Sequence, residues 1–148
     1  MIHAQATKVV NSVAPASVDG ASATIANTVD CKGWDYCQFY VSFGVIGATA
    51  TALKIQESDD DATWTDVVGT RVGTDTDMDG AATSLPGAGQ ADGVYRFDLD
   101  CRKRKRYLQP IVTAGAAATL IGALAVLSRG AIGPHQASDT NATDVMRV

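Results

Sequence analysis

Apolar and polar residues alternate over several short segments of the chain, and a period of two residues is typical of half-buried β-strands. The clearest segment begins at Trp34, where Cys37, Phe39, Val41 and Phe43 lie on one face and mainly Tyr, Gln and Ser residues lie on the other. The first face is therefore predicted to meet the core, and the second to meet solvent on a sheet with one wet face.

The same alternation predicts eight short strands separated by turns. Pro15 is expected to end the first strand, because proline cannot donate to a strand ladder. The Gly-, Asp- and Thr-rich segment 69–93 contains almost no large apolar residue, so we expect a long surface loop there. The predicted strands are residues 4–13, 22–29, 34–43, 51–57, 64–68 and 94–99, with two more inside 107–127.

Two segments of the chain look like copies of one unit. Residues 30–58 and 100–128 both begin Asp-Cys-(Lys/Arg), and both continue with Tyr-x-Gln. A Val follows three residues after the Gln, and a Gly three residues after that, at Gly44 and Gly115. Each copy reads as an apolar run, a Gly-Ala break and a second apolar run. We therefore predict that each copy is a β-hairpin.

The second copy ends in an Ala- and Leu-rich run with two alternatives to a strand. Residues 116–127 have the composition of a helix, and the uncharged run 108–127 has the length of a membrane span. The repeat favours a strand. As a strand the run is apolar on both faces, with Leu120 and Leu124 on one and Ile121 and Leu127 on the other, so its second face is expected to meet another subunit.

Length, composition and turn spacing together predict one all-β domain over residues 1–148. The expected architecture is an antiparallel β-sandwich of about eight strands, with a core over about 4–128, an N-terminal arm and a C-terminal arm over 129–148. A net charge of -4 makes nucleic acid an unexpected partner. The first ten residues lack the pattern of a secretory signal, so export by that route is not expected.

The three cysteines, Cys31, Cys37 and Cys101, are interpreted as reduced thiols of a protein assembled in a cytoplasm. A Cys31–Cys101 bridge is the alternative, because both residues begin equivalent turns of the repeat. No zinc spacing is present among them.

Candidate catalytic chemistry is sparse. The chain has two histidines, His3 and His135, one near each end, and neither a Ser-His-Asp arrangement nor a nucleotide-binding motif can be assembled. We therefore predict no catalytic residues, no cofactor and no enzymatic activity.

A short acidic segment copies the start of a calcium-binding loop. Asp75, Asp77 and Asp79 alternate before Gly80, but Pro86 stands where the bidentate Glu of such a loop belongs. A solvated acidic loop is favoured over a weak calcium site, and no metal site is predicted.

The basic run 102–106 is the sharpest charge feature of an acidic chain. Five like charges in a row repel one another, so they must face solvent or an acidic partner. One interpretation is a solvated turn; the other is an electrostatic handle for an acidic protein surface.

Residues 53–67, LKIQESDDDATWTDV, resemble a segment of small structural proteins of tailed bacteriophages, in which a strand ending in IQ-x-SDD is followed by a short turn and W-x-D-V. An Asp-Cys-Lys turn before an aromatic strand, here 30–32, and a late Arg-Tyr strand ending in V-T-x-G, here 106–115, are also similar to that family. The resemblance covers about 30–128. By size, it is closest to the head decoration, or capsid cement, proteins.

The resemblance implies a non-enzymatic virion protein on the outer capsid surface, assembled in the host cytoplasm, where it stabilises capsomer joints. The implied partners are the major capsid protein and further copies of the chain, with a trimer as the expected oligomer and no nucleic acid or membrane. A neck or tail component of the same virion is one alternative, and a carbohydrate- or receptor-binding module using Trp34, Tyr36 or Trp64 is another. The expected capsid or subunit contacts are Arg102, Lys103, Arg104, Lys105, Arg106, Arg129, Ile132, Pro134, His135 and Met146.

Overall fold

A computed structural model describes residues 7–20 and 24–131 of the chain. The described residues form nine antiparallel strands in two sheets, which confirms the predicted all-β sandwich of about eight strands. The strands are β1 (Thr7–Val18), β2 (Thr24–Ile25), β3 (Val29–Asp30), β4 (Trp34–Ile46), β5 (Ala52–Ser58), β6 (Thr65–Asp66), β7 (Val94–Asp100), β8 (Tyr107–Thr113) and β9 (Thr119–Gly130).

The two sheets have different strand orders. The first sheet runs β1-β9-β4-β7, and the second runs β2-β8-β5-β6 with β3 also paired to β8. Both are antiparallel throughout. The core lies between them and is filled by the inward residues of the four longest central strands, among them Phe39, Val41, Ile55, Leu108 and Leu127, each at most 1% exposed.

The predicted core face of β4 is confirmed. Cys37, Phe39, Val41 and Phe43 are all buried, and the residues between them are half-buried or exposed. The strand interpretation of the Ala-Leu run is also correct, because β9 covers Thr119–Gly130. Within the described residues, the structure contains no helix with the length and apolar character needed to cross a membrane.

The two predicted hairpins are wrong. β4 lies in the first sheet and β5 in the second, and the second copy crosses in the opposite direction, from β8 in the second sheet to β9 in the first. The copies pair with each other instead, β4 with β9 and β5 with β8. Each Gly-Ala break is therefore a crossover between sheets rather than a hairpin turn.

The two crossovers pack against each other, backbone to backbone. Gly47 donates its N–H to the Ala118 carbonyl at 2.9 Å, and Thr51 donates to Thr113 at 2.9 Å. A Cβ at Gly115 would overlap the Thr49 carbonyl oxygen, so this close approach requires glycine. Gly115, which the sequence marked only as a repeat position, is thus a point where the two crossovers touch.

Pro15 does not end the first strand. β1 continues to Val18, and its register with β9 shifts between Asn11 and Val13 and again between Val13 and Ala16. A proline is tolerated here because β1 is the edge strand of its sheet and the irregularity absorbs the missing donor.

Three other boundaries differ from the predicted ones. The strand expected over 22–29 is two short strands, β2 and β3, and the one expected over 64–68 shortens to Thr65–Asp66. β9 extends to Gly130, so Arg129 belongs to the sheet and not to an arm. The predicted loop 69–93 is irregular as expected, although Val72 and Leu85 within it pack against the core.

Candidate functional site

The outer face of the first sheet, which points away from the core, exposes large apolar side chains. On β9, Leu120 and Leu124 are 47% and 46% exposed, whereas Ile121 and Leu127 are buried. The prediction that β9 is apolar on both faces is therefore confirmed.

Register brings further apolar residues close to Leu124, although its neighbour on β1 is Asn11 and that of Leu120 is Ser17. Leu124 lies opposite Tyr40 of β4, and Val126 lies opposite Val9 of β1. We call Val9, Tyr40, Leu120, Leu124 and Val126 the apolar strip. The strip carries no charge and crosses three neighbouring strands.

On β7 the same face exposes Val94, which lies opposite Ser42, and then turns polar. Arg96 and Asp98 form an ion pair with 2.7 Å between Nη2 and Oδ2, and Gln38 donates to the other carboxylate oxygen of Asp98 at 2.9 Å. These charges cancel each other beside the apolar strip.

A shallow groove of about 320 Å³ opens at the Leu120 end of the strip. It exists because Gly44 and Gly122 have no side chains, while Pro15 and Leu120 form its walls. Ser42 donates its hydroxyl to the Gly122 carbonyl at 3.2 Å and forms part of the floor.

The first and last described residues of the chain lie at the same end of the first sheet. Thr7, which begins β1, lies opposite Ser128, and Gly130, which ends β9, lies opposite Trp34. Ala131 donates its N–H to the Gly33 carbonyl at 2.8 Å and fixes the last described residue to the turn before β4. Thr7 and Ala131, the first and last described residues, therefore lie at the same end of the first sheet, which we call the terminal end of the sandwich.

The basic run begins at the same end, since Asp100 of β7 lies opposite Tyr36, whose other neighbour is Ser128. Its charges are largely compensated. Carboxylates lie 2.6 to 3.8 Å from four of its five cations, in the pairs Arg102–Asp100, Arg104–Glu57, Lys105–Asp59 and Arg106–Asp30. Among the described residues, Lys103 has no such partner.

Two of these ion pairs lower the pKa of the carboxyl group that takes part in them. The Arg106 guanidinium lowers the pKa of Asp30, and the Arg102 guanidinium lowers the pKa of Asp100. Because the carboxylates come from the end of β3, from β5 and its following turn, and from β7, the run is held against three parts of the fold. That geometry favours the solvated-turn interpretation over a free electrostatic handle.

Arg129 joins this surface from β9. Its guanidinium lies 5.5 Å from the centre of the Tyr36 ring and 3.7 Å from the Asp35 carboxylate, and Arg102 lies 5.1 Å from the same ring. Arg102 also donates to the Tyr36 hydroxyl at 3.0 Å. Arg102 and Arg129, two predicted contact residues from separate segments of the chain, therefore both contact Tyr36. Ile132, Pro134, His135 and Met146 lie outside the described residues.

The acidic loop uses its carboxylates internally. Asp75 accepts hydrogen bonds from the backbone N–H groups of Gly69 and Arg71 and from the Arg71 guanidinium, at 2.7 Å from Nη2. Its bonds to Arg71 hold the pKa of Asp75 at about 2. Asp77 accepts from the backbone N–H groups of Asp79 and Ala81. In the part of the chain that the structure describes, no group of three potential ligands is placed to hold a metal ion.

The aromatic residues considered for carbohydrate binding do not form one platform. Trp34 packs against the core from the first sheet, and half-buried Trp64 precedes β6 in the second. Tyr36 is already covered by the two guanidinium groups.

The feature that the sequence analysis missed is a cluster of three thiols. Cys31, Cys37 and Cys101 are all free and buried, and they lie near enough to one another to shift each other's pKa. Contacts with Cys101 and Cys31, followed by burial, raise the pKa of Cys37, whereas contacts with Cys31 and Cys37 lower the pKa of Cys101. The repeat did place Cys31 and Cys101 at equivalent turns, but nothing in the sequence placed Cys37 with them.

Compared with known proteins, the chain matches no protein-family model and no curated protein sequence.

Proposed function

We propose that the protein is a non-enzymatic structural component of a tailed-phage virion, a head decoration protein that binds the outer capsid surface and stabilises the joints between capsomers. The observation that carries the proposal is the terminal end of the sandwich, where Thr7 and Ala131, the first and last described residues, lie at the same end of the first sheet. Segments attached at these two points can reach the same neighbouring protein. The sequence resemblance over 30–128 supports the same assignment.

A protein of this kind stabilises its partner by mass action. It binds the assembled shell and not the dissociated capsid proteins, so each bound copy shifts the equilibrium towards the shell. The sandwich needs only to be rigid and correctly placed, and its buried core between two sheets meets that requirement.

The proposed second partner is another copy of the chain, bound through the apolar strip. The strip is uncharged and the ions beside it on β7 neutralise each other, so two copies can face each other there without like charges in opposition. Burying Leu120 and Leu124 in such a contact removes two large half-exposed apolar side chains from water.

Replacing Leu124 by aspartate is expected to weaken self-association by a factor of about 30 or more, because a charge would be buried in an apolar contact. Sedimentation velocity of the full chain over a range of concentrations measures the change. Met78→Asp is the matched control, since Met78 is 92% exposed in the loop far along the chain from the strip. A wild-type chain that sediments as a monomer at every concentration, or equal effects of the two variants, would contradict the proposed interface.

Counting the copies of the protein in purified virus particles by quantitative mass spectrometry tests the function itself. We expect many copies, in a fixed ratio to the major capsid protein, because a decoration protein follows the lattice of the shell. A number that fits one ring per particle would instead assign the protein to the neck or tail. Absence from particles would refute a virion role.

A further inference from the structure

The three-thiol cluster lies at the terminal end of the sandwich and joins segments from both sheets. Cys31 follows β3 in the second sheet, and Cys101 follows β7 in the first. Cys37 lies within β4, opposite Leu99 of β7, and Cys101 comes two residues after Leu99, where the pairing of β7 with β4 has ended. The backbone N–H of Cys31 donates to the Arg106 carbonyl at 2.9 Å, which holds the two Asp-Cys turns of the repeat together.

We propose that Cys31 and Cys101 form a reversible intramolecular disulfide when the protein meets a peroxide, and that this bond locks the two sheets together at the terminal end. The inference does not rest on the proposed virion function, because it concerns only the folded chain.

Exposure and local backbone select this pair from the three thiols. Cys101 is 9% exposed and Cys31 is 5% exposed, whereas Cys37 is fully buried. Cys37 is also fixed by ladder pairing on both sides, to Leu99 of β7 and Leu127 of β9. Cys31 and Cys101 lie in turns outside the ladders, where the backbone can make the small adjustment that disulfide geometry demands.

The chemistry needs one peroxide for each bond. Cys101, the most exposed of the three, attacks one oxygen of hydrogen peroxide as its thiolate. The O–O bond breaks, the second oxygen leaves and becomes water after taking up a proton, and Cys101 becomes a sulfenic acid. Cys31 then loses its proton and attacks the Cys101 sulfur, so that the S–S bond forms and a second water leaves. Two thiols are oxidised, and one peroxide is reduced to two waters.

The bond would close a loop of about 70 residues. A crosslink over a loop of that length restricts the unfolded chain, and it is expected to raise Tm by about 10 °C. The same bond would hold the start of the basic run 102–106 against the turn before β4.

The test uses the purified full chain, fully reduced, treated with increasing hydrogen peroxide, blocked with an alkylating reagent and mapped by peptide mass spectrometry without reduction. We expect a Cys31–Cys101 linked peptide, and a rise in Tm that dithiothreitol reverses. Cys37→Ala should keep both the link and the rise, and Cys31→Ala should lose both.

A link that involves Cys37, a link between two chains, or oxidation to sulfinic acid without any link would overturn the proposal. Because Cys37 is in the core, Cys37→Ala can fail to fold; the peptide map of the wild-type chain then decides the question by itself, since it identifies the linked pair directly.

Discussion

Replacing Gly115 by alanine is expected to destabilise the protein by about 3 kcal/mol, a large part of the roughly 5–15 kcal/mol that holds a domain folded. The added Cβ would overlap the Thr49 carbonyl oxygen and come within 2.9 Å of the Ala48 Cβ and 3.0 Å of the Ala48 carbonyl carbon. Two of these three atoms belong to the backbone. They cannot swing away as a side-chain end can, so one crossover must move away from the other.

The movement would disturb hydrogen bonds that close the ends of both sheets. Gly47 donates to Ala118 and Thr51 donates to Thr113 in the same region, and the strands on either side are paired without a gap to Ala52–Thr113. The loss should therefore appear as a lower free energy of unfolding, measured by urea titration followed by tryptophan fluorescence.

Gly44→Ala is the matched control, since Gly44 occupies the equivalent position in the first copy of the repeat. A Cβ there would meet the Leu120 Cβ at 3.2 Å and Cδ1 at 3.3 Å, so it overlaps no backbone atom and needs a shift of only a few tenths of an ångström. We expect a cost below about 1 kcal/mol. Equal costs at the two positions would show that the crossovers are not in the tight contact described above.

The parts of the fold that the sequence predicts are those that depend on local alternation. The face of β4 that carries Phe39 and Val41 follows from a period of two, and so does the exposure of Leu120 and Leu124 opposite Ile121. These assignments need no knowledge of what each strand pairs with. The sandwich class follows in turn from many short strands with turns between them.

Strand pairing could not be read in the same way. An apolar run, a Gly-Ala break and a second apolar run describe a hairpin and a crossover between sheets equally well. The difference is whether β4 pairs with β5 or with β9, which lies 73 to 96 residues away at the paired positions, and this depends on the packing of the whole sandwich. Pro15 was wrongly predicted to end β1 for a related reason. A proline is tolerated within a strand that lies at the edge of a sheet, and the position of β1 in the sheet cannot be read from its own residues.

The charged and sulfur groups of the candidate site show the same limit. The sequence presents 102–106 as five unopposed cations, but Asp30 and Glu57, which compensate Arg106 and Arg104, lie far away along the chain. Cys37 joins Cys31 and Cys101 only because β4 and β7 are neighbours. The charged residues and the cysteines could be identified from the sequence. The partners that neutralise the charges and surround the thiols could not.

Removing residues 132–148 is expected to reduce binding to expanded capsids to background while the sandwich remains folded. The truncation point follows from the structure: β9 ends at Gly130, and Ala131 makes the last described hydrogen bond, to Gly33. A chain ending at Ala131 keeps every strand pairing described above, so its Tm should fall by no more than a few degrees. The binding loss would follow if the removed segment, with Ile132, Pro134, His135 and Met146, supplies the contacts with the capsid protein.

Co-sedimentation with capsids lacking the protein measures the binding, and a full-length variant with residues 132–148 in shuffled order is the control, because it keeps length and charge. If the segment binds through specific side chains, the shuffled variant should fail as the truncated chain does. Binding by the shuffled variant at the wild-type level would mean that the segment acts only through its charge. Undiminished binding by the truncated chain would move the capsid contact onto the sandwich itself. Of the predicted contact residues there, Lys103 has no carboxylate partner among the described residues, and Arg129 lies 3.7 Å from Asp35 and is largely exposed.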